Sequence, residues 1–482
     1  MTIDPSEILA ILPEILLIVL AGVVLILDLA LKDEQRRMLG WVTAGGLLFV
    51  IIPLLFFFRP TDGATFMWGG AIRVDWLSFV FKLLAYFGAA ITAILAMDYE
   101  VIGKRGELYL LLIISTLGMS VMVMAADLIL LYVAIETTSI PLYALAGMRT
   151  KSDKSVESGF KYLLFGAMAS AVMLYGFSLL YGMTGQTNIY VLAEAFRLGQ
   201  VSASPLLYGS VMIILVGFAF KISAFPMHFW APDVYEGAPT PIAGFLSTAS
   251  KAAGFAVLLR FFLVAFPEYT TQWGMILAVL STITMTVGNM IALAQKNIKR
   301  LLAYSSIAHA GYALIGVAVA SQLGVTSVTY YMIAYLATNL AAFAVVGIYG
   351  RIAGSDEISA YAGLSRRSPG LALVMMVSFL SLAGMPPFGG FVAKVFVFAA
   401  AVDAGLIWLA VVGVLNSIVG LYYYLTVLKV VYLYRSEGDE QPLVVSRSSW
   451  FAIGLLVAAI LLIGTVFAPW FSWASQSAMA MF

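Results

Sequence analysis

Long apolar stretches, separated by short polar ones, run through the whole sequence. A helix needs about 20 mostly apolar residues to cross a bilayer, and fourteen stretches are near or above that length. The stretches are too long for barrel strands, and irregular backbone would leave polar groups unpaired in lipid. The pattern therefore predicts fourteen transmembrane helices, called spans 1 to 14, at about residues 8–31, 39–58, 75–97, 108–125, 127–148, 157–181, 205–228, 242–266, 273–294, 300–320, 325–349, 370–401, 406–432 and 450–474.

The composition agrees with an all-α polytopic membrane protein. Of the 482 residues, 62% are hydrophobic and 11% are charged, against about 25% charged in an average soluble protein. The N-terminal segment has no basic leader and its apolar run extends to about Leu31, which predicts a membrane span rather than a cleaved signal peptide. We predict a single membrane domain over residues 1–482, and the net charge of +1 offers no basic surface for nucleic acid.

Two residue types limit the cofactors that this chain can hold. The sequence has no cysteine, which excludes disulfides, thiolate-bound iron–sulfur clusters and Cys-ligated zinc. Its two histidines, His228 and His309, offer little for haem or a metal ion. We therefore expect no cofactor and no redox chemistry within this chain.

The positive charges are distributed unevenly between alternate loops. Odd-numbered loops hold sixteen lysines and arginines, whereas even-numbered loops hold only Arg59, Arg73 and Arg197 and both chain ends hold none. Since basic residues accumulate on the cytoplasmic side, the odd loops are predicted in the cytoplasm and both ends outside it. The remaining seven basic residues lie within apolar stretches: Lys82, Lys161, Lys221, Lys251, Arg260, Lys394 and Lys429.

Three of these seven have an ordinary explanation. Lys82 and Lys429 lie a few residues from predicted span ends, where long side chains can reach the lipid headgroups. Arg260 has the same explanation or forms a static ion pair, because arginine stays charged and suits a fixed countercharge. We predict no proton carrier among these three.

Lys221, Lys251 and Lys394 lie deep in their spans or beside a helix break. A basic residue at the centre of an inserted helix costs about 2.5–3.5 kcal/mol and normally faces the protein interior or a water-filled cavity. A lysine amine deprived of water can exchange protons near cellular pH, so these three are candidate proton carriers. Glu136 is the deepest carboxylate, and its protonation should follow that of a partner lysine. Permanently charged Lys–Glu pairs with a structural role are the alternative.

Four further residues are candidates for proton transfer or surface pairing. His309 lies about nine residues into span 10, and imidazole is the side chain whose ordinary pKa suits proton exchange near neutrality. A hydrogen-bonded structural histidine is the alternative there, and the position of His228 at a helix end favours neither reading. Glu157 and Lys161 share one face at the start of span 6 with i,i+4 spacing, which predicts a surface ion pair.

Two spans are interrupted next to their lysines. Pro226 follows Lys221 in span 7, and its ring would displace the carbonyl of Ile222 from the helical pattern. In span 12 the segment GMPPFGG, residues 384–390, precedes Lys394. Such breaks are tolerated at membrane depth where the backbone is buried in protein or lines water. A pair of them in two halves of a chain indicates an inverted-repeat transporter.

The spacing of the candidate residues predicts two repeated units. Glu136 precedes His309 by 173 residues, and Lys221 precedes Lys394 by the same number, which relates spans 5 and 7 to spans 10 and 12. Because the shift of five spans is odd, the second unit must be inverted. We predict N-terminal spans 1 to 3 at about 1–107, a first repeat of spans 4 to 8 at 108–266, a second of spans 9 to 13 at 273–432 and a C-terminal helix at 450–474.

Four segments together resemble one family of membrane proteins. They are HFWAPDVYEGAPTPIAGFLSTASK from His228, IETTSIPLYALAG around Glu136, KRLLAYSSIAHAGY from Lys299 and GMPPFGGFVAK ending at Lys394. These segments resemble the proton-conducting antiporter-like subunits of respiratory complex I, and the resemblance covers nearly the whole chain. Those subunits are similar in turn to the large subunits of multisubunit cation/proton antiporters. Lys394 resembles the N type of subunit, since the M type usually has glutamate there. The sequence also lacks the long lateral helix expected of the L type.

The resemblance implies a role for each relay candidate. Glu136 and Lys221 would form the central pair of one half-channel. Lys251 would bridge toward His309, and Lys394 would face the outer half-channel. The implied function is proton translocation coupled to electron transfer from NADH to quinone.

The resemblance also implies the surroundings of the chain. Glu157 and Lys161 would couple it to a neighbouring subunit in a bacterial inner membrane, with subunits M, K, A and J and membrane lipids as partners. FMN, iron–sulfur clusters and quinone would belong to partner subunits of the NADH:quinone oxidoreductase. Two other functions stay open: a cation (Na⁺)/proton antiporter driven by ion gradients, and a membrane scaffold whose lysines form fixed ion pairs.

Overall fold

Helices account for most of the computed structural model, which describes residues 5–60, 63–201, 204–435, 441–479 and 481–482. Thirteen of the described helices are long and apolar enough to cross a membrane. They correspond to thirteen of the fourteen predicted spans, and span 12 is divided into two shorter helices. The all-α polytopic fold is therefore confirmed, with one fewer continuous crossing helix than predicted.

The N-terminal part contains three crossing helices and one short hairpin. Its helices are α1 (Pro5–Ala10), α2 (Leu12–Ala30), α3 (Met38–Phe57) and α4 (Trp76–Ala96), and strands β1 (Thr65–Met67) and β2 (Ile72–Val74) pair antiparallel around a 3₁₀ turn at Trp68–Gly70. Asp75 fixes the start of α4, because its carboxylate accepts the Ser78 N–H at 2.9 Å while the Ser78 hydroxyl accepts the Asp75 N–H at 3.1 Å.

The helices of the two predicted repeats follow. The first unit contains α5 (Gly106–Met124), α6 (Leu128–Ala146), α7 (Asp153–Thr184), α8 (Ile189–Arg197), α9 (Pro205–Ile222), α10 (Trp230–Gly237), α11 (Thr240–Phe245), a π-helical turn (Leu246–Ser250) and α12 (Lys251–Ala265). The second contains a 3₁₀ turn (Pro267–Tyr269), α13 (Thr270–Ala292), α14 (Ile298–Val319), α15 (Gln322–Ala353), a 3₁₀ turn (Ile358–Tyr361), α16 (Leu364–Arg367), α17 (Pro369–Ala383), α18 (Gly389–Asp403) and α19 (Ile407–Leu433). The predicted C-terminal helix at 450–474 is in fact two helices, α20 (Arg447–Thr465) and α21 (Phe467–Met479).

Several features recur at matching places in the two units. α7 and α15 each have 32 residues and are each followed by a glycine in the left-handed conformation. Asp127, which caps α6, forms a β-bridge with Asn188, and Asn297, which caps α14, forms one with Glu357. Two repeated units would produce such matches, and their inverted relation stays a prediction.

Both predicted helix breaks are present. They are not separated by the 173 residues that separate the candidate residues of the two units. α9 and α17 are each followed by a residue in the left-handed conformation, Ser223 and Gly384, and a cis proline comes three positions later in both. The breaks are therefore 161 residues apart, with Lys221 before its break and Lys394 after its own. Because α9 ends ahead of Pro226, the predicted span 205–228 is shortened to Ile222.

A buried ion pair joins helices at the face formed by even-numbered loops. The Arg260 guanidinium on α12 forms two hydrogen bonds with the Asp75 carboxylate, at 2.8 and 2.9 Å. It also donates to the Tyr190 hydroxyl at 2.7 Å and to the Val123 carbonyl at 3.0 Å. Burial raises the pKa of the Asp75 carboxyl, but Arg260 offsets this and holds that pKa below its usual value. Of the two explanations for Arg260, the static ion pair is confirmed.

The prediction that Lys82 reaches the headgroups is wrong. Its side chain is fully buried and its ammonium lies 2.6 Å from Glu14 Oε1 and 3.6 Å from the centre of the Phe58 ring. The Ser120 hydroxyl donates to the same carboxylate. The pair therefore fastens α2 to α4 inside the bundle, whereas Lys429 is exposed near the end of α19.

We predict that Arg260→Met destabilises the folded chain by about 3 kcal/mol, because the buried Asp75 carboxylate loses both of its guanidinium hydrogen bonds and keeps only Arg73, at 3.5 Å, as a counterion. Thermal unfolding of the purified protein in detergent measures the effect. The double variant Asp75→Asn/Arg260→Met should recover part of the loss, since it removes both charges. Arg197→Gln, in an exposed pair with Glu194, is the control and should change little. Equal unfolding temperatures for Arg260→Met and Arg197→Gln would contradict the prediction.

Candidate functional site

Lys221 lies in the last turn of α9, immediately before the break, and is buried. Its Nζ donates to the Ser139 hydroxyl on α6 at 2.9 Å. Glu136 lies three residues before Ser139, and its buried Oε1 atom has no hydrogen-bond partner among the described residues. The structure thus places Lys221 against the helix that carries Glu136, but a neutral hydroxyl, and no carboxylate, accepts the lysine's hydrogen bond.

The main chain at this first break is satisfied by nearby donors. The Ala224 N–H donates to the Ala219 carbonyl at 2.8 Å. The Phe220 carbonyl accepts the indole N–H of Trp230, the first residue of α10, at 3.1 Å. The expected displacement of the Ile222 carbonyl by Pro226 is therefore not what ends this helix, because the chain has already left the helical path.

Lys251 follows the π-helical turn directly, and such turns frequently occur at functional sites. Its Nζ donates to the carbonyl and the hydroxyl of Ser306 on α14, at 3.0 and 2.6 Å. Gly254, one turn further along α12, packs against Lys221, and a Cβ placed there would lie 3.2 Å from the Cγ atom of that lysine. The same helix therefore contacts Lys221 and carries Lys251.

His309 lies one turn beyond the serine that binds Lys251, and two tyrosines contact its ring. Its Nδ1 atom is 2.6 Å from the Tyr331 hydroxyl, and its Nε2 atom is 3.3 Å from the Tyr424 hydroxyl. The Tyr424 hydroxyl also forms a short hydrogen bond with Ser305. Because Ser305 and Ser306 are adjacent, the geometry brings Lys251 and His309 into one polar region, as the bridging role requires.

Lys394 uses the second break as its acceptor. Its Nζ donates to the Ala383 carbonyl, at the end of α17, at 2.9 Å. The ammonium lies 4.7 Å from the centre of the Tyr312 ring, whose centre is 5.7 Å from that of the His309 ring. A carbonyl made available to the lysine beside a break was expected at Pro226 in span 7; among the described residues it is found at the break in span 12 instead.

Sequence reasoning missed the neutral groups that contact the relay candidates. A serine within an apolar stretch carries no obvious signal, because its hydroxyl commonly bonds to the helix backbone, and a tyrosine there looks like an ordinary aromatic core residue. Helical spacing offered one clue in SSIAHAGY, where hydroxyl residues flank the histidine at three to four positions. The missed residues are Ser139, Ser305, Ser306, Tyr312, Tyr331 and Tyr424.

Charged side chains of alternating sign form a continuous row at the face of odd-numbered loops. Five ion pairs of 2.6, 2.6, 2.8, 3.0 and 2.7 Å connect them in order. We name this row the charge chain; it consists of Glu157, Lys161, Asp233, Arg300, Glu236 and Lys154.

The charge chain confirms one predicted contact and adds others. Glu157 and Lys161 form the expected pair at 2.6 Å. Asp233 and Glu236, both on α10, were not predicted to pair although they lie in the quoted HFWAPDVYEG segment. Burial raises the pKa of these two carboxyls, but the neighbouring lysines and Arg300 hold both values below the usual range.

Chemically, this arrangement offers groups that can hold or pass a proton: amines, an imidazole and hydroxyls. Within the described ranges, no cluster of three or more His, Cys, Asp or Glu side chains is arranged to hold a metal ion.

Known proteins with similar sequences and folds identify the family. A family model described as "NADH:quinone oxidoreductase/Mrp antiporter, TM" matches residues 125–420. The NADH-quinone oxidoreductase subunit N of Moorella thermoacetica is 42% identical over 471 residues, covering 97% of this chain and 98% of that protein. The protein of the same name from Heliobacterium modesticaldum is 43% identical over 459 residues, covering 94% of each chain.

Solved structures agree with these relatives. A chain of respiratory complex I from Thermus thermophilus, determined with bound aureothin, has a TM-score of 0.80 at 35% identity and covers 95% of this chain and 98% of its own. A chain of the Mrp complex from Dietzia sp. has a TM-score of 0.85, covering 99% of this chain and 97% of its own, but is only 20% identical and so shows the fold alone. On the extent and identity of these matches, this chain belongs to the NADH-quinone oxidoreductase subunit N family.

Proposed function

We propose that this chain is a proton-translocating subunit of a bacterial NADH:quinone oxidoreductase, in which electron transfer from NADH to quinone drives proton pumping. The observation that carries the proposal is the line of buried amines, imidazole and hydroxyls on α6, α9, α12, α14 and α18. Membership of the subunit N family supports the enzyme, because the relatives at about 40% identity have its name.

In the first half of the proposed relay, Glu136 and Lys221 control the proton. A carboxylate near an ammonium favours the protonated amine, so movement of Glu136 toward or away from Lys221 changes how readily the lysine releases its proton. In the structure, the uncharged hydroxyl of Ser139 accepts the hydrogen bond of the Lys221 amine. Lys251 is the next acceptor, because α12 carries it one turn from the point where that helix contacts Lys221.

In the second half, hydroxyl groups connect the carriers. Ser306 binds Lys251, and the adjacent Ser305 bonds to the tyrosine that also contacts His309. Lys394 is the last carrier, on the far side of Tyr312. A proton on one lysine repels a proton on the next, which gives the transfer its direction once the first site is loaded.

The partners in this proposal supply the electron-transfer groups. FMN, iron–sulfur clusters and quinone belong to other subunits, since this chain has no cysteine for an iron–sulfur cluster. Subunits M, K, A and J are its proposed neighbours, with membrane lipids around the exposed helix faces. The bacterial relatives support an inner membrane location. The bias of basic residues toward odd loops supports an orientation with both ends in the periplasm.

An ion-driven cation/proton antiporter is the alternative, and it is less supported. Its solved relative shares the fold at 20% identity, whereas the subunit N relatives are about twice as similar. Copurification separates the two functions. Flavin and iron–sulfur subunits bound to this chain support the oxidoreductase, and small membrane partners alone would favour the antiporter.

We predict that Lys221→Ala or Glu136→Ala suppresses proton pumping in the assembled complex, because each removes a titratable group from the start of the relay. Proton uptake per NADH oxidised, followed with a pH-sensitive dye in proteoliposomes, measures the loss. Lys429→Ala removes an exposed lysine and is the control, with pumping expected at the normal level. Full pumping by the two variants would remove these residues from the path.

Tyr424→Phe should slow proton pumping about tenfold, because it deletes the hydroxyl shared by Ser305 and His309 at a cost of ~1.4 kcal/mol. Tyr422 is two positions earlier on the same helix and 67% exposed. Tyr422→Phe is therefore the matched control and should pump normally. The relay through this hydroxyl is refuted if both variants pump at the same rate.

Gly384→Ala should impair pumping more than Gly405→Ala. Both glycines have positive φ, so backbone strain is common to the two variants. A Cβ at Gly384 would lie 2.8 Å from Lys394 Cδ, whereas nothing lies within 4 Å of one at Gly405. The difference in protons pumped per NADH between equally assembled variants reports the displacement of Lys394, and the absence of a difference would count against its role.

A further inference from the structure

We propose that Asp233 and Arg300 are positioning residues for Lys221, acting through the charge chain and α10. This inference rests on the proposed function, because it assigns to these two residues an effect on a proton carrier. Neither residue contacts the ammonium group itself.

The charge chain holds α10 from two sides. Asp233 and Glu236 are three residues apart, so they project from one side of this eight-residue helix. Cations reach them from different helices: Lys154 and Lys161 from α7, and Arg300 from α14. Arg300 bonds to both carboxylates, at 2.8 and 3.0 Å. The position of α10 therefore depends on charges from two neighbouring helices.

Asp233 is the central member of the charge chain. Its two carboxylate oxygens accept from two different cations, Lys161 at 2.6 Å and Arg300 at 2.8 Å. Its side chain is 34% exposed, whereas the terminal Lys154 and Glu157 are 71% and 58% exposed. Solvent weakens ion pairs at exposed ends more than in the centre. Loss of Asp233 should therefore affect α10 more than loss of either end.

A second set of contacts leads from α10 to Lys221. Trp230, the first residue of α10, stacks on Tyr162 of α7 with ring centres 4.4 Å apart and an interplanar angle of 8°. Its indole N–H donates to the carbonyl of Phe220, the residue before Lys221. Lys161 and Tyr162 are neighbours on α7, so one segment of that helix contacts α10 through both a charge and a ring.

The consequence is mechanical. If α10 shifts, the indole leaves the Phe220 carbonyl, which then keeps only the Ser223 N–H as a donor, and the last turn of α9 loses its one side-chain contact from α10 at this carbonyl. The ammonium that this turn presents to Ser139 would then change its position. Because proton transfer depends steeply on donor–acceptor geometry, a small displacement is enough to alter pumping.

The test uses Asp233→Asn in the full complex reconstituted into proteoliposomes. We expect about tenfold slower pumping at an unchanged content of assembled complex, and a shifted pH profile of pumping, since the environment of the carrier has changed. Asp233→Glu, which keeps the charge, should restore much of the activity. Asp153→Asn removes an exposed acid from α7 outside the charge chain and should match the unmodified complex.

Arg300→Lys covers the case in which Asp233→Asn does not assemble. It keeps the positive charge but lacks the planar fork that bonds two carboxylates at once, so it should assemble and show part of the pumping defect with the same pH shift. Assembled variants that pump at the normal rate with the normal pH profile would overturn the inference. So would a loss confined to the amount of complex, because that is what a purely structural role produces.

Lys221→Ala separates this inference from the proposed function. If Lys221→Ala abolishes pumping while Asp233→Asn and Arg300→Lys leave it intact, only the positioning role fails. If Lys221→Ala pumps fully, the relay itself fails, and with it the inference.

Discussion

An ammonium group inside an apolar helical bundle must be given an acceptor, and the kind of acceptor divides the buried cations of this protein into two groups. Arg260 and Lys82 each face a carboxylate and connect helices. Lys221, Lys251 and Lys394 instead donate to hydroxyl or carbonyl oxygens. An ion pair strongly favours the charged form, whereas a neutral oxygen can accept a hydrogen bond from the ammonium or from the neutral amine and so favours the charged form less. The second arrangement suits groups that must release a proton as well as bind one.

The same distinction bears on the scaffold interpretation, in which every buried lysine is part of a fixed ion pair. That description fits Lys82 and the arginine on α12. It does not describe the three relay candidates, for which the described residues provide neutral partners. Free-energy considerations agree, because a buried lysine that has no hydrogen-bonded carboxylate is costly to keep charged.

The two helix breaks have related backbones but different chemical uses. At the second, the carbonyl at the end of α17 is the acceptor for Lys394. At the first, the carbonyl of Phe220 is taken by an indole, and Lys221 finds its acceptor on α6. Lys394 is hydrogen-bonded to the break itself, whereas Lys221 is hydrogen-bonded to the helix that carries Glu136. The two lysines are therefore held by different parts of the fold.

The sequence by itself determined the apolar spans, the two interruptions and the lysines beside them, because each follows from local hydrophobicity, backbone chemistry and spacing. It also paired Glu157 with Lys161, which lie on one helix face. Only the tertiary structure decided which acceptor each lysine has and that Asp233 joins α7 to α14. Apart from the bond of Lys394 to Ala383, 11 positions away, these contacts connect residues between 55 and 82 positions apart. Helical periodicity indicates which face a residue occupies but not which distant face it meets. Lys82 is a further example, because its position near a span end did not indicate that Glu14 of another helix would pack against its ammonium group.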